Sequence, residues 1–369
     1  MRKTKSAAMA AGVIGSWAEC ARRLRGAGSA IGALLMCLSL PVQAEPFDGE
    51  RFAVVNEGSP QRPLYALALQ GDGRGMAVGS MGTLLVTDNG GRDWSSNDLA
   101  TGVAGSHASL AVLDGTVEGP NWIVVGQQGL IRYSGDDGET WTAPDQPVER
   151  RLLAVGANRS GLAVAVGAFG TVLISANAGE DWNAVSVGQV ATAEDGNVAH
   201  FYDVHVGADG SILIVGEYGL IIGSSDAGRT WERRRYGRAS LLSLAVYPDG
   251  RAYAVGQSGA LVHSRDGGRT WRDIPTGYSG SLLGVLADAD GNIWIPGMRN
   301  FLVSRDHGGS WERVSGHDFQ RNWYGAIATG PDGILVAGHS SRILRIGRDE
   351  ARRSRAPKTE GVKVSAIRR

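Results

Sequence analysis

Cysteine is almost absent from this chain. Its two cysteines, Cys20 and Cys37, both fall within the first 44 residues. Past that point disulfides, thiol chemistry and cysteine-ligated metals are excluded. An excess of one charge is missing as well, with 37 Lys/Arg against 37 Asp/Glu. Long apolar runs are scarce; the run at 30–40 is too short to span a bilayer comfortably. The seven histidines are scattered without metal-ligand spacing, and no P-loop, HExxH or Gly-x-Ser-x-Gly motif occurs. What is abundant is glycine, 55 of 369 residues, which suits an all-β chain with many tight turns.

The balanced charge hides an asymmetry. Residues 1–44 hold six Lys/Arg and one acid, and 348–369 hold eight and three. That leaves 23 basic and 33 acidic residues for the body, 45–347. Nucleic acid is a poor partner for so acidic a body, because phosphate contacts need clustered cations. At the N-terminus, Arg22, Arg23 and Arg25 precede the apolar run, and Val42 and Ala44 are small residues before a cut. The pattern predicts a signal peptide, 1–44, cleaved after Ala44, and a periplasmic or lumenal location. The tail 348–369 is basic and aperiodic. It reads as a disordered segment capable of weak contact with anionic lipid.

The body is a repeat. "VTDNGGRDW", "YSGDDGETW", "ISANAGEDW", "GSSDAGRTW", "HSRDGGRTW" and "VSRDHGGSW" end at Trp94, Trp141, Trp182, Trp231, Trp271 and Trp311, with spacings of 47, 41, 49, 40 and 40 residues. Upstream of each lies an apolar run closing on Gly-x-x-Gly or a variant, such as "VAVGAFG", and this element occurs seven times. Earlier still comes a run leading into Asp-Gly, a hairpin signal whose type I′ form needs positive φ at both central residues. Each unit thus holds four strands, A to D. Four strands in about 40 residues, repeated seven times, predict an all-β, seven-bladed β-propeller with four-stranded blades. The last unit lacks a strand D. "RFAVVNEG" at 51–58 matches "DWNAVSVG" at 181–188, with Phe52 in the place of Trp182. The N-terminal strand is therefore expected to close the ring in the last blade and remove a free edge.

The tryptophan box follows Ser-x-Asp-x-Gly-x-Thr-Trp, with Asp136, Asp226, Asp266 and Asp306 at the acidic position. Two copies carry Asn89 and Asn177 there, with Asp93 and Asp181 in place of the threonine. Asn cannot act as a general acid, but both residues accept N–H bonds within turns. The exchange argues for a turn clamp, with the tryptophans packed between blades, each burying about 150–250 Å².

This box resembles the sialidase-type Asp box, or bacterial neuraminidase repeat. The "AVGxxGxxLxSxDGGxTW" unit most resembles the photosystem II stability/assembly factor-like propellers. The resemblance implies a non-enzymatic protein that contacts a client through an arginine-rich patch. It covers about 50–347, and it specifies the propeller class better than the function.

In the assigned strand order the B–C turns and the D–A links share one rim, and the Asp boxes lie on the other. The candidate binding rim carries Gln127, Gln128, Phe169, Glu217, Tyr218, Gln257, Arg299 and His339 from the turns. The links add Arg62, Arg150, Arg151, Tyr202, Arg321, Trp323 and Tyr324. The long links 183–200 and 312–325 look like binding loops on a rigid scaffold. Arg233, Arg234, Arg235 and Arg238 form a candidate basic patch. A sialidase would need three arginines and a Tyr–Glu pair, and its early Arg-Ile-Pro motif is absent. Tyr218 adjoins Glu217, but neighbours on a strand point to opposite faces. The reading is a monomeric, cofactor-free, metal-free accessory or assembly factor for a membrane protein complex. The alternative is a glycoside hydrolase or carbohydrate-binding propeller.

Overall fold

The computed structural model describes residues 52–98, 108–113, 121–145, 147–314 and 317–347. The expected leader and tail lie outside the described residues. The fourth unit shows the build. Strand A, Phe201–Val206, pairs with strand B, Ile212–Gly216; B pairs with C, Ile221–Ser224, and C with D, Glu232–Arg235, all antiparallel. Six four-stranded sheets of this kind occur, together with a seventh sheet of three strands.

The three-stranded sheet corrects the expectation of four strands in every unit. In the third, fifth and sixth units the N–H of Val185, Ile274 or Val314 bonds to the carbonyl of Val172, Leu261 or Phe301, holding strand D. The second unit has Pro144 at that position, which has no N–H to give. The matching carbonyl, of Ile131, accepts Arg132 Nη1 at 2.9 Å instead. Pairing shrinks to one bridge between Tyr133 and Thr142.

In the last unit the strand Phe52–Asn56 pairs with Ile343–Gly347. Ala53 opposes Arg345 and Val54 opposes Leu344. This is the register in which Asn183 opposes Ile174 and Ala184 opposes Leu173, so the sequence match of 51–58 to 181–188 extends to the pairing. Leu64–Leu69, strand A of the first unit, lies against Tyr324–Gly330, strand A of the last.

The core sits between neighbouring sheets. Trp182, 7% exposed, joins Ile123 and Val125 of the second unit to Leu173 of its own. Trp94, Trp141, Trp231, Trp271 and Trp311 occupy the corresponding gaps. Phe52 packs edge-on to Phe319 at 4.9 Å, in the gap between the sixth and seventh units.

Two rims result, and hydrogen bonds stitch each one. On the first, the residue after strand B donates its N–H to the residue before strand A: Ser80 to Pro63, Ala168 to Arg151, Glu217 to His200, Gln257 to Ser240, Met298 to Ser281 and His339 to Trp323. On the second, the Asp-box turn donates to the A–B turn, as Gly90 to Gly73, Ala178 to Gly161 and Gly267 to Gly250. The A–B turns are not type I′. Among the described residues only their glycines have positive φ, for example Gly73 at 92° and Gly210 at 81°. The chain turns over three residues, with Gly210 N–H bonding to Gly207 O and Asp209 Oδ1 accepting the Ser211 N–H. A side-chain acceptor after a right-handed turn replaces the second left-handed residue.

Candidate functional site

The rim of B–C turns is built by close backbone approach. A Cβ on Gly167 would stand 2.1 Å from the Arg151 carbonyl, and one on Gly79 2.2 Å from that of Pro63. This explains the glycine that ends each strand B. Two residues later every turn has a left-handed residue, and none of the seven is glycine: Met81, Gln128, Phe169, Tyr218, Ser258, Arg299 and Ser340, with φ of 54–58°. Side chains are kept at positions where the backbone favours glycine.

Between the third and fourth units several candidates meet. Phe169, 59% exposed, has the His200 ring 4.6 Å from its own and the Arg150 guanidinium 6.0 Å from its centroid. His200 Nδ1 accepts the Phe169 N–H at 3.3 Å, and its Nε2 faces Glu217 Oε2 at 4.0 Å. Glu217 accepts the His200 N–H at 2.9 Å and the Tyr202 hydroxyl at 3.3 Å. Burial and the Glu217 charge push the Tyr202 phenol up to about 12. The Tyr–Glu pair here is Tyr202–Glu217. Tyr218 instead stacks on Tyr236, 6.2 Å between centroids.

Beside this cluster a cavity of about 410 Å³ opens among the starts of the A strands. Tyr65, Tyr202 and Trp323 line it with Leu153, Leu242 and Leu283. Tyr65 and Trp323 are stacked at 5.9 Å. Asp203 also lines it, its oxygens accepting the N–H groups of Val204 and Leu244, each at 2.8 Å. Burial outweighs those bonds and raises this carboxyl to about 6. Tyr65 was not singled out in the sequence. Its signal is positional, since it stands second in strand A, as Tyr202 does in its own unit.

Arg62, Arg150, Arg151, Gln128, Gln257, Arg299 and Arg321 are exposed on this rim, and Gln127 and His339 are half-buried there. Two expectations need correction. Tyr324 is fully buried; its ring packs on Phe319 and its hydroxyl donates to Asp318 Oδ2 at 2.8 Å. Asp318 also accepts Arg342 Nη1 at 2.9 Å, so Phe319 and Tyr324 seat this link on the core. Nor do the four arginines of 233–238 form one patch. Arg233 donates to the carbonyls of Gln189, Val190 and Thr192 and so clamps the link 183–200. Arg235 bonds Gly219 O and Asp273. Arg234 lies across Gly223 and pairs with Glu232 at 3.0 Å. Arg238 lies exposed in the next link.

On the opposite rim Asp266 faces its own turn. Its Oδ1 accepts the Ser264 hydroxyl at 2.7 Å and the N–H groups of Arg269 and Thr270 at 3.0 and 2.9 Å; its Oδ2 accepts the Thr270 hydroxyl at 2.6 Å. Asp136, Asp226 and Asp306 repeat the clamp. These bonds, the Thr270 hydroxyl first, hold Asp266 far below the usual carboxylate range, and the same bonds hold Asp226 at about 2. In the altered boxes the roles reverse. Asn177 Nδ2 donates to Asp181 Oδ2 at 2.9 Å, and Asn89 Nδ2 to Asp93 at 3.2 Å. Among the described residues no group of three or more His, Cys, Asp or Glu is placed to hold a metal ion, and no helix is long and apolar enough to cross a membrane.

Four-stranded antiparallel sheets carrying these clamps define an Asp-box β-propeller. Residues 59–198 match the family described as photosynthesis system II assembly factor YCF48, so this part of the chain is similar to those propellers. Among solved structures, one of YCF48 bound to D1 peptide is 18% identical with a TM-score of 0.65, covering 84% of this chain and 99% of that one. YCF48 from Cyanidioschyzon merolae is 17% identical with a TM-score of 0.62, covering 81% and 99%. A GH74 xyloglucanase from Xanthomonas campestris is 16% identical with a TM-score of 0.64, covering 81% of this chain and 54% of that one. At these identities the structures speak for the fold. Among curated proteins none matches.

Proposed function

We propose that this chain is a non-enzymatic, exported, monomeric propeller that serves as a binding accessory or assembly factor for a membrane protein complex. We count the three-stranded sheet as a blade, giving a ring of seven that the strand Phe52–Asn56 closes; its shared register with the third unit supports this. The leader-like segment 1–44 supports export. One observation carries the functional reading. The aromatic cavity of Tyr65, Tyr202 and Trp323 opens on the rim that keeps exposed arginines and left-handed side chains. Aromatic anchors in a pocket, with arginines exposed elsewhere on the same rim, are residue types enriched in protein-binding hot spots. The YCF48 structure named for its D1 peptide is in keeping with a peptide of a membrane protein as ligand.

The pair Tyr202–Glu217 and the xyloglucanase likeness favour a second reading, a glycoside hydrolase. Its chemistry is poor, because a phenol pushed up to about 12 is scarcely ionised near neutral pH. The test is capture from detergent-solubilised membranes of the host. The reading expects a membrane protein, identified by mass spectrometry, that the wild type retains and Trp323→Ala together with Arg150→Ala and Arg151→Ala loses. Retention of no membrane protein, or hydrolysis of aryl-glycosides abolished by Glu217→Gln, would overturn it.

A further inference from the structure

Five large apolar residues are exposed among the described residues, and four of them sit on one rim: Met81, Phe169 and Met298 on B–C turns and Val198 on the link before the fourth unit. The fifth, Val54, lies on the outer strand Phe52–Asn56, and the Asp-box rim has none. Arg62, Arg150, Arg151, Arg299 and Arg321 stand exposed between these tips, and none of the five takes part in an ion pair among the described residues. On the Asp-box rim some cations are paired, while Arg229 and Arg269 are exposed without an ion pair among the described residues. Arg74 pairs with Asp72 and Asp137, Arg92 with Asp332 and Arg251 with Asp249.

We propose that the B–C rim docks on an anionic lipid bilayer surface. Apolar side chains on loop tips with arginines between them match the interface, where apolar groups enter the acyl boundary and cations meet the headgroups. The tips belong to the first, third and sixth units, with polar tips such as Gln128 and Ser258 elsewhere on the rim. A single extended peptide would need a continuous groove, whereas a flat charged surface meets separated tips at once. The charge fits as well, since this rim presents these five exposed arginines, beside the paired Arg235 and Arg342, on an otherwise acidic body. Each arginine near such a surface strengthens binding about fivefold, and the attraction fades within about 10 Å at 0.1 M salt. The docking is therefore reversible and salt-sensitive. It rests on the reading that this rim is the working face, and it would set the aromatic cavity against the membrane-proximal part of a client.

The experiment is vesicle flotation of the full chain. One vesicle is phosphatidylcholine alone; the other is phosphatidylcholine and phosphatidylglycerol in equal parts. Binding is expected only to the second. It should weaken by about 100-fold with Arg150→Glu, Arg151→Glu and Arg299→Glu together, and also fall with Met81→Ser and Met298→Ser. Arg352→Ser, Arg353→Ser and Arg355→Ser in the tail should leave it within about twofold. Equal binding to neutral vesicles, no binding to anionic ones, or loss only in the tail variant would overturn the proposal. Client capture in detergent contains no bilayer and fails or succeeds independently, so the two readings fall separately.

Discussion

On the Asp-box rim the box carboxylates Asp136, Asp226, Asp266 and Asp306 are turned inward to their own loops; on the opposite rim Arg62, Arg150, Arg151, Arg299 and Arg321 are exposed and, among the described residues, take part in no ion pair. Both rims use left-handed backbone. In the boxes that position is held by Gly90 and Gly267, by Ala178 and Ala227, and by Asp137 and His307. In the B–C turns it is held by residues such as Met81, Phe169 and Arg299, and never by glycine. In four of the six boxes a glycine or alanine satisfies the turn, and Asp137 and His307 do so in the other two. Where larger side chains are kept at a backbone cost, something other than the fold has use for them.

The comparison breaks first at the tryptophans. Trp182→Ala empties a gap between two sheets and should cost about 3–5 kcal/mol in urea unfolding. Trp323→Ala removes a half-exposed ring stacked on Tyr65 and should cost well under half of that. Equal losses would mean that Trp323 is as structural as the box tryptophans.

Much of this contrast was legible in the sequence, because period and turn chemistry are local. The six boxes fixed the unit length, and the Asn-for-Asp exchange identified a clamp before any hydrogen bond was seen. The place of Phe52 was readable because its segment copies 181–188. Three things were not legible. Pro144 removes one N–H from one edge, and its effect is visible only against the carbonyl it would have met. Tyr324 and Trp323 are adjacent, and which one enters the core depends on where Phe319 sits. The arginines of 233–238 read as one patch in the sequence because distant partners divide them: Arg233 bonds the carbonyls of a link some 40 residues earlier and Arg235 bonds Asp273, 38 residues later.

The clamp itself gives a sharper test. Thr270→Asp alone sets two carboxylates together in one turn and should destabilise by about 1–3 kcal/mol. Adding Asp266→Asn recreates the Asn177–Asp181 arrangement and should restore most of the loss, a coupling that a double-mutant cycle reads directly. The clamp also has a pH signature. Asp226 sits at about 2 in the fold against an ordinary 3.8. Its folded value is the lower one, so its contribution is complete above about pH 4 and is lost as the pH falls towards 2. Urea midpoints should drop over that window, and the drop should be smaller with Asp226→Asn. A midpoint independent of pH there would remove the clamp from the stability of the fold.

The smallest effect has the opposite sign. Met81 is 59% exposed with φ of 56°, so Met81→Gly relieves a left-handed side chain while losing little packing. Glycine also widens the unfolded ensemble, which offsets part of the relief. The net gain should be at most about 1 kcal/mol in urea unfolding, together with weaker flotation on phosphatidylglycerol vesicles. Gly268→Ala supplies the contrast on the other rim. Its backbone is also left-handed, at 82°, and its Cβ would stand 2.2 Å from Leu213, so it should destabilise. If Met81→Gly were destabilising too, the side chain at that turn would belong to the fold, and the two rims would differ in chemistry but not in purpose.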